Sequence, residues 1–306
     1  MTRTLIHIGY PKAGSTFLQS WFEQHPELFY KPGGIGGFRD VYELARPLYK
    51  DFKYFVSSYE SLSMPSNSAG RIKLIYGGAE VDDDDHTYRS QLQVCTALKS
   101  LFPESTILII TRGFKDIILS GYSQYLRVGG VKSLDELCRD IARQVREETL
   151  HFYDFDRLIS IYRSAFGREN VIVLPFELLR DDKVQFLSTV EERLGLDHHD
   201  ISIDQLNPSL SPSELYWYPR ISRVVSGTAS RLGAGRFKRI YTWYVKKTLE
   251  NKFSSLVRVL NILKPGRSTT RADFPVEILE DFRGLAESLR ELPEFAPYGS
   301  DYLWRN

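Results

Sequence analysis

Residues 9–16, Gly9-Tyr10-Pro11-Lys12-Ala13-Gly14-Ser15-Thr16, carry the groups in this chain best suited to grip an anion. The spacing Gly9-x4-Gly14, followed by two hydroxyls, comes close to the phosphate-cradling frame G-x-x-x-x-G-K-[ST]. The lysine of that frame is displaced: Ser15 stands in its place, and a lysine sits inside the loop at Lys12. An apolar strand over residues 4–8 runs into this turn. An amphipathic helix follows over about 15–24, with Phe17, Leu18, Trp21 and Phe22 as its apolar stripe. Such a strand–loop–helix unit aims backbone N–H groups and a helix N-terminus at one point. Lys12, Ala13, Gly14, Ser15 and Thr16 are therefore expected to hold a terminal, doubly charged phosphate. From the loop, the Lys12 ammonium can reach past that phosphate and neutralise charge developing on a bridging oxygen, which is the stabilisation that group transfer needs.

A second candidate lies at Arg112 and Ser120. Residues 106–111, TILIIT, form a continuous apolar run of the kind that makes a buried parallel strand. Arg112 ends it, at the carboxyl edge where open parallel sheets bind ligands. Ser120 follows about two turns into the next predicted helix. An arginine fork and a hydroxyl so placed can clamp a second phosphate. Two phosphate sites on neighbouring strand ends suggest a nucleotide phosphorylated at two positions, whereas ATP has one phosphate chain.

The elements that must position these residues alternate along the chain. A strand at 71–76 ends in Gly77-Gly78-Ala79-Glu80, and an acidic run at 82–85 precedes a helix with Tyr88, Leu92, Cys95, Leu98 and Phe102 on one face. Helices are predicted after Arg112 to about 127, near 134–149 and over 155–166. Residues 171–174 read as a buried strand, and Leu187, Val190 and Leu194 mark a helix closed by Gly195. Short strands alternating with helices imply an α/β fold with a parallel sheet. The glycine-rich stretch 31–38 reads as a loop. With 306 residues, 42% of them hydrophobic, the chain can bury a full core, and its net charge of +1 implies no global binding to nucleic acid. The two cysteines, Cys95 and Cys138, show no framework or metal spacing, which suits a reducing compartment. The N-terminus has no leader pattern and no apolar stretch reaches membrane-span length, so the expected location is cytoplasmic.

These residues together resemble the sulfotransferases that use 3′-phosphoadenosine 5′-phosphosulfate (PAPS). PKAGST at 11–16 is similar to that family's PKxGTT-type loop, and RGFKDIILS at 112–120 to its RxPxDxxxS-type segment, with Phe114 for the family proline. VIVLPFELLRDD at 171–182 looks like the family's strand followed by YEDL, with Phe176 for Tyr. LGLD at 194–197 and NPSLS at 207–211 resemble bacterial and carbohydrate members. The matched blocks span roughly residues 4–211. The resemblance implies a three-layer α/β fold, a parallel sheet flanked by helices and related to the P-loop nucleotide kinases. It makes the whole chain, 1–306, one sulfotransferase domain with an α/β core to 211 and a mainly helical, basic part over 212–306. It also implies PAPS as donor, with Lys12, Gly14, Ser15 and Thr16 on the 5′-phosphosulfate and Arg112 and Ser120 on the 3′-phosphate.

Sulfuryl transfer should parallel phosphoryl transfer, by in-line attack through a loose transition state. The transferred group carries less charge, so a metal is less necessary. The acidic run at 82–85 reads as a solvated helix start, and no metal is expected. A base should take the proton of the attacking acceptor; Glu80, just past a predicted strand end, is the candidate, and His86 the alternative. His7, inside the first strand, reads as a packed or hydrogen-bonded core residue. A P-loop-type kinase or hydrolase is the enzymatic rival, and a non-catalytic nucleotide- or glycan-binding module the other. Residues 220–271 hold thirteen Lys or Arg and one acid, Glu250, interleaved with Phe237, Tyr241, Trp243 and Tyr244. Beside a plain solvated face, this predicts an anionic acceptor, a saccharide or glycolipid, or peripheral contact with a membrane surface.

Overall fold

A computed structural model of the chain describes residues 2–32, 51–59, 62–63, 86–201, 203, 210–230, 234–250 and 252–304. Its centre is a five-stranded parallel sheet of order β2-β3-β1-β4-β5, formed by β1 (Arg3–Gly9), β2 (Leu28–Tyr30), β3 (Tyr54–Ser58), β4 (Thr106–Thr111) and β5 (Val171–Pro175). The β4 and β5 runs are buried on both faces, which is why they read as continuous apolar segments. The register sets Gly9 beside Ile110, and Thr111 beside Pro175. The chain therefore leaves β1, β4 and β5 at one edge, side by side.

Helices α1 (Ser15–Gln24), α2 (His86–Leu101), α3 (Phe114–Arg127), α4 (Leu134–Arg146), α5 (Phe155–Phe166), α6 (Phe176–Asp181) and α7 (Lys183–Leu194) flank the sheet. α1 packs on β2 and β3, and α5 on β4 and β5. Gly195 closes α7 in the left-handed region, as its position after Leu194 predicts. Past residue 211 come α8 (Pro212–Ser230), α9 (Ala234–Leu249) and α10 (Ser254–Leu263), then only short 3-10 turns. No helix among the described residues is long and apolar enough to cross a membrane.

Several sequence expectations need comment. The strand at 71–76, the run at 82–85, Glu80 and most of the 31–38 loop lie outside the described residues. β2 and β3 carry no strand signal strong enough to be read from sequence; β2 is three residues long, and β3 ends in two serines. The buried face of α2 was placed through Leu92, but Leu92 is exposed and Gln91 is buried in its stead. Gln91 Nε2 donates to the Ser63 carbonyl at 2.7 Å, which meets one half of the buried amide.

Phe114 shows what replaces a proline at the head of α3. It is fully buried, stacks on Phe155 at 5.1 Å with rings 8° apart, and touches Phe282 and Tyr302. The C-terminal segment is thereby clamped to the β4–α3 corner. Phe114→Ala should destabilise the fold by about 3–5 kcal/mol, read from urea unfolding; a loss below about 1 kcal/mol would mean that the tail docks without this ring.

Candidate functional site

The loop after β1 turns through two left-handed residues, Lys12 (φ 69°) and Gly14 (φ 84°). A positive φ at a lysine is uncommon and is held only where surrounding structure dictates it. One neighbour braces it here. The Arg112 Nη1 donates to the Lys12 carbonyl at 2.5 Å. At Gly14 the positive φ itself favours glycine, and a Cβ there would come within 2.7 Å of Leu179 Cδ2. Gly14 is the N-cap of α1, and no side chain caps its first amides. The first turn therefore presents N–H groups with no partner inside the helix.

Two buried polar atoms converge on this turn without a partner. Ser15 is 2% exposed and His7 fully buried, and among the described residues neither Ser15 Oγ nor His7 Nε2 has a hydrogen-bond partner. Both lie around Gly9: a Cβ there would stand 2.4 Å from Ser15 Oγ and 3.4 Å from His7 Nε2. Burial pushes the His7 pKa down to about 3, so the ring is neutral. Its Nδ1 lies 2.8 Å from Ser58 Oγ, which also accepts from Gln19 Nε2. Orphaned buried polar atoms are costly. A hydroxyl and helix amides at a glycine turn are a donor set that suits a phosphate or sulfate oxygen.

Arg112, just past the end of β4, reaches this loop through its bond to the Lys12 carbonyl. Its guanidinium stacks over the Phe176 ring at 4.4 Å, and its Nε is buried and unpartnered. Burial pulls the Arg112 pKa down, with Asp116 and Glu177 opposing; an arginine stays charged regardless. The stacked, partly bonded fork thus keeps donors for another anion. Ser120 is half-buried on α3, about 9 Å along the helix from its start. Thr16 is exposed at the head of α1. Ala13 is fully buried, and its N–H closes the turn onto the Tyr10 carbonyl. Glu80 lies outside the described residues, and of His86 only its place at the start of α2 is described. His7 lies beside Gly9, where the sequence reading did not place it.

The sequence reading also missed a buried carboxylate. Glu177, fully buried, accepts from the Gly113 N–H at 2.9 Å and from the Tyr302 hydroxyl at 3.0 Å, and Tyr302 meets Thr111 Oγ1 at 3.0 Å. These bonds fix the β4–α3 corner that carries Arg112. Asp116 ties the same corner to Arg180 at 3.2 Å and to Arg271. The signal was present in FELLRDD, where a glutamate follows the strand of β5. Among the described residues, His25, Glu27 and His199 form one group of potential metal ligands. It lies at the opposite edge of the sheet. His25 Nδ1 accepts the Glu27 N–H at 3.2 Å, which leaves the proton on Nε2 in place of a lone pair for a metal, and Glu27 already holds Lys53 at 2.6 Å.

No protein-family model matches the chain, and no curated protein matches it. Among solved structures it is similar to a sulfotransferase from Alicyclobacillus acidocaldarius, with 17% identity and a TM-score of 0.43 over 78% of this chain and 99% of that one. It is also similar to the mouse sulfotransferase SULT7A1 in complex with PAP, with 17% identity and a TM-score of 0.35 over 65% of this chain and 60% of that one. At these scores the likeness says nothing of reaction or ligand.

Burial raises the Glu177 pKa above its ordinary 4.5. The folded chain therefore binds this proton more tightly than the unfolded chain does. The stability this contributes is full below the unfolded value and is lost as pH rises through the folded one. Relative to wild type, Glu177→Gln should gain stability as pH climbs from about 4 to 8. Glu177→Leu, which strands the Gly113 N–H, should lose about 1–3 kcal/mol. Denaturant unfolding across that range tests both; a Gln variant that tracks wild type at every pH contradicts the assignment.

Proposed function

We propose that this protein transfers a sulfuryl group from PAPS to a hydroxyl or amine of an acceptor, a saccharide or glycolipid. The observation that carries the reading is the Ser15 hydroxyl, buried beside Gly9 and unpartnered among the described residues, with the Arg112 guanidinium braced against the same turn. The PKAGST and RGFKDIILS segments support it, because they place both groups at adjacent strand ends.

In this reading Gly14, Ser15 and Thr16 orient the 5′ end of the donor, and Ala13, whose N–H closes the turn onto Tyr10, shapes the loop. Arg112 and Ser120 take its 3′-phosphate. When bound, the donor supplies an electrophilic sulfur with a phosphate oxygen as leaving group. Lys12 neutralises charge on that oxygen as it develops. Glu80 receives the acceptor proton, with His86 as the alternative. The Arg112–Lys12 contact makes the two ends of the site interdependent. The excess of Lys and Arg over 220–271 draws an anionic acceptor, which gives an acceptor KM that rises with salt.

Ligand choice separates this reading from a kinase. The nucleotide product, 3′-phosphoadenosine 5′-phosphate, should raise the melting temperature, by about 2.7 kcal/mol of stabilisation at a hundredfold excess over Kd; ATP with magnesium should not. The reverse ranking removes the proposal. Lys12→Ala should lower kcat by about a hundredfold or more in a radiolabelled sulfonate-transfer assay, with nucleotide binding retained. Normal turnover in that variant removes the role given to Lys12.

A further inference from the structure

The outward face of α10 is apolar, the reverse of what a surface helix ordinarily shows. Leu256, Val259, Ile262 and Leu263 fall within one arc of the helix, and Val257 is the buried residue opposite. With Trp243 and Leu249 of α9, these side chains are between 42% and 74% exposed. Trp243 meets Phe253, the residue before α10, at 6.2 Å between ring centroids, so the two helices contribute to one patch.

The orientation of α10 is fixed by polar bonds on its inner side. Asn261 Oδ1 accepts from Trp217 Nε1 at 3.2 Å, and Asn261 Nδ2 donates to Ser213 Oγ at 2.6 Å. Ser254 Oγ donates to Glu214 Oε1 at 2.8 Å. Each of these partners lies on α8, so the helix cannot roll its apolar arc inward without stranding buried polar groups. Cations surround the patch: Lys246, Arg258, Lys264 and Arg267 are exposed, and no acid pairs with them among the described residues. Glu250, the sole acid of the region, is already held by Lys252 at 2.9 Å and Lys247 at 3.4 Å.

We infer that this face is a docking surface for an anionic lipid bilayer, with α10 lying in the plane of the interface. Two kinds of contact combine there. The aliphatic arc and the Trp243 indole enter the headgroup–acyl boundary, while the surrounding Lys and Arg meet lipid phosphates and carboxylates. Charge also selects this occupant over a second copy of the chain. A two-fold contact through this face would set its unpaired cations against their own copies. An exposed apolar patch of this extent marks an interaction site, and the sign of its surroundings calls for a negative surface. The inference is independent of the reaction proposed for the glycine turn.

Co-sedimentation of the full chain with phosphatidylcholine vesicles, with and without phosphatidylserine, tests it. Binding should require phosphatidylserine and weaken as salt rises. Tryptophan emission should shift to the blue on binding, and the shift should be lost in Trp243→Leu. Ile262→Asp with Leu263→Asp should lower the partition coefficient by about a hundredfold, as should Arg258→Glu with Lys264→Glu. Thermal unfolding matching wild type shows that each variant is folded, and the charge-reversal pair serves if the aspartate pair is not. Equal binding to both vesicle types, no binding to either, or variants that bind as wild type overturn the inference. So does a wild-type dimer in light scattering that the aspartate pair converts to monomer, because the patch would then belong to a second copy.

Discussion

The contact between the Arg112 guanidinium and the Lys12 carbonyl joins the parts on which the candidate site depends. It runs from the end of β4 to the loop that leaves β1, two strands that the register sets side by side. Phe176, just past β5, stacks under the guanidinium and lies beside Gly14, where a Cβ would come within 3.2 Å of its ring. Three neighbouring strand ends thus hold one left-handed turn. A lysine with positive φ is strained in isolation, and here the strain is met by a charge-assisted hydrogen bond from a partly buried arginine. Among the described residues, no side chain satisfies the Ser15 hydroxyl or caps the first amides of α1.

The C-terminal segment is part of this construction. Tyr302 and Glu177 bind each other and the corner that carries Arg112, and Phe114 packs between Phe155, Phe282 and Tyr302. The Asp301 carbonyl accepts the Phe114 N–H at 3.1 Å, and a side chain on Gly113 would strike Asp301. A buried carboxylate at Glu177 is a costly choice, and its pKa rises accordingly. What it secures is the orientation of the Gly113 peptide, one residue from the guanidinium. The remote tail therefore acts on the site through backbone placement.

Much of the frame could be read from the residues alone. β1, β4 and β5 are apolar runs of strand length ending at Gly9, Thr111 and Pro175, and α1 begins at the serine where the glycine frame placed it. Arg112 and Lys12 were legible as strand-end and loop cations, but their contact was not, because it spans 100 positions and depends on sheet order. His7 was read as a core histidine, and it is buried and bonded to Ser58. That its second nitrogen faces the cradle follows only from the pleat of β1 beside a glycine. Glu177 was hidden because a glutamate after a strand usually faces solvent. Gln91 took the place expected for Leu92, and its amide donates to the Ser63 carbonyl.

The central claim is that the unpartnered Ser15 hydroxyl and the amides around it exist to bind a nucleotide phosphate. A crystal structure of the full chain soaked with 3′-phosphoadenosine 5′-phosphate tests this most directly. The account predicts the 5′-phosphate within hydrogen-bond distance of Ser15 Oγ, with the 3′-phosphate on the Arg112 side. A nucleotide bound elsewhere, or a phosphate that leaves the Ser15 hydroxyl still without a partner, would contradict it.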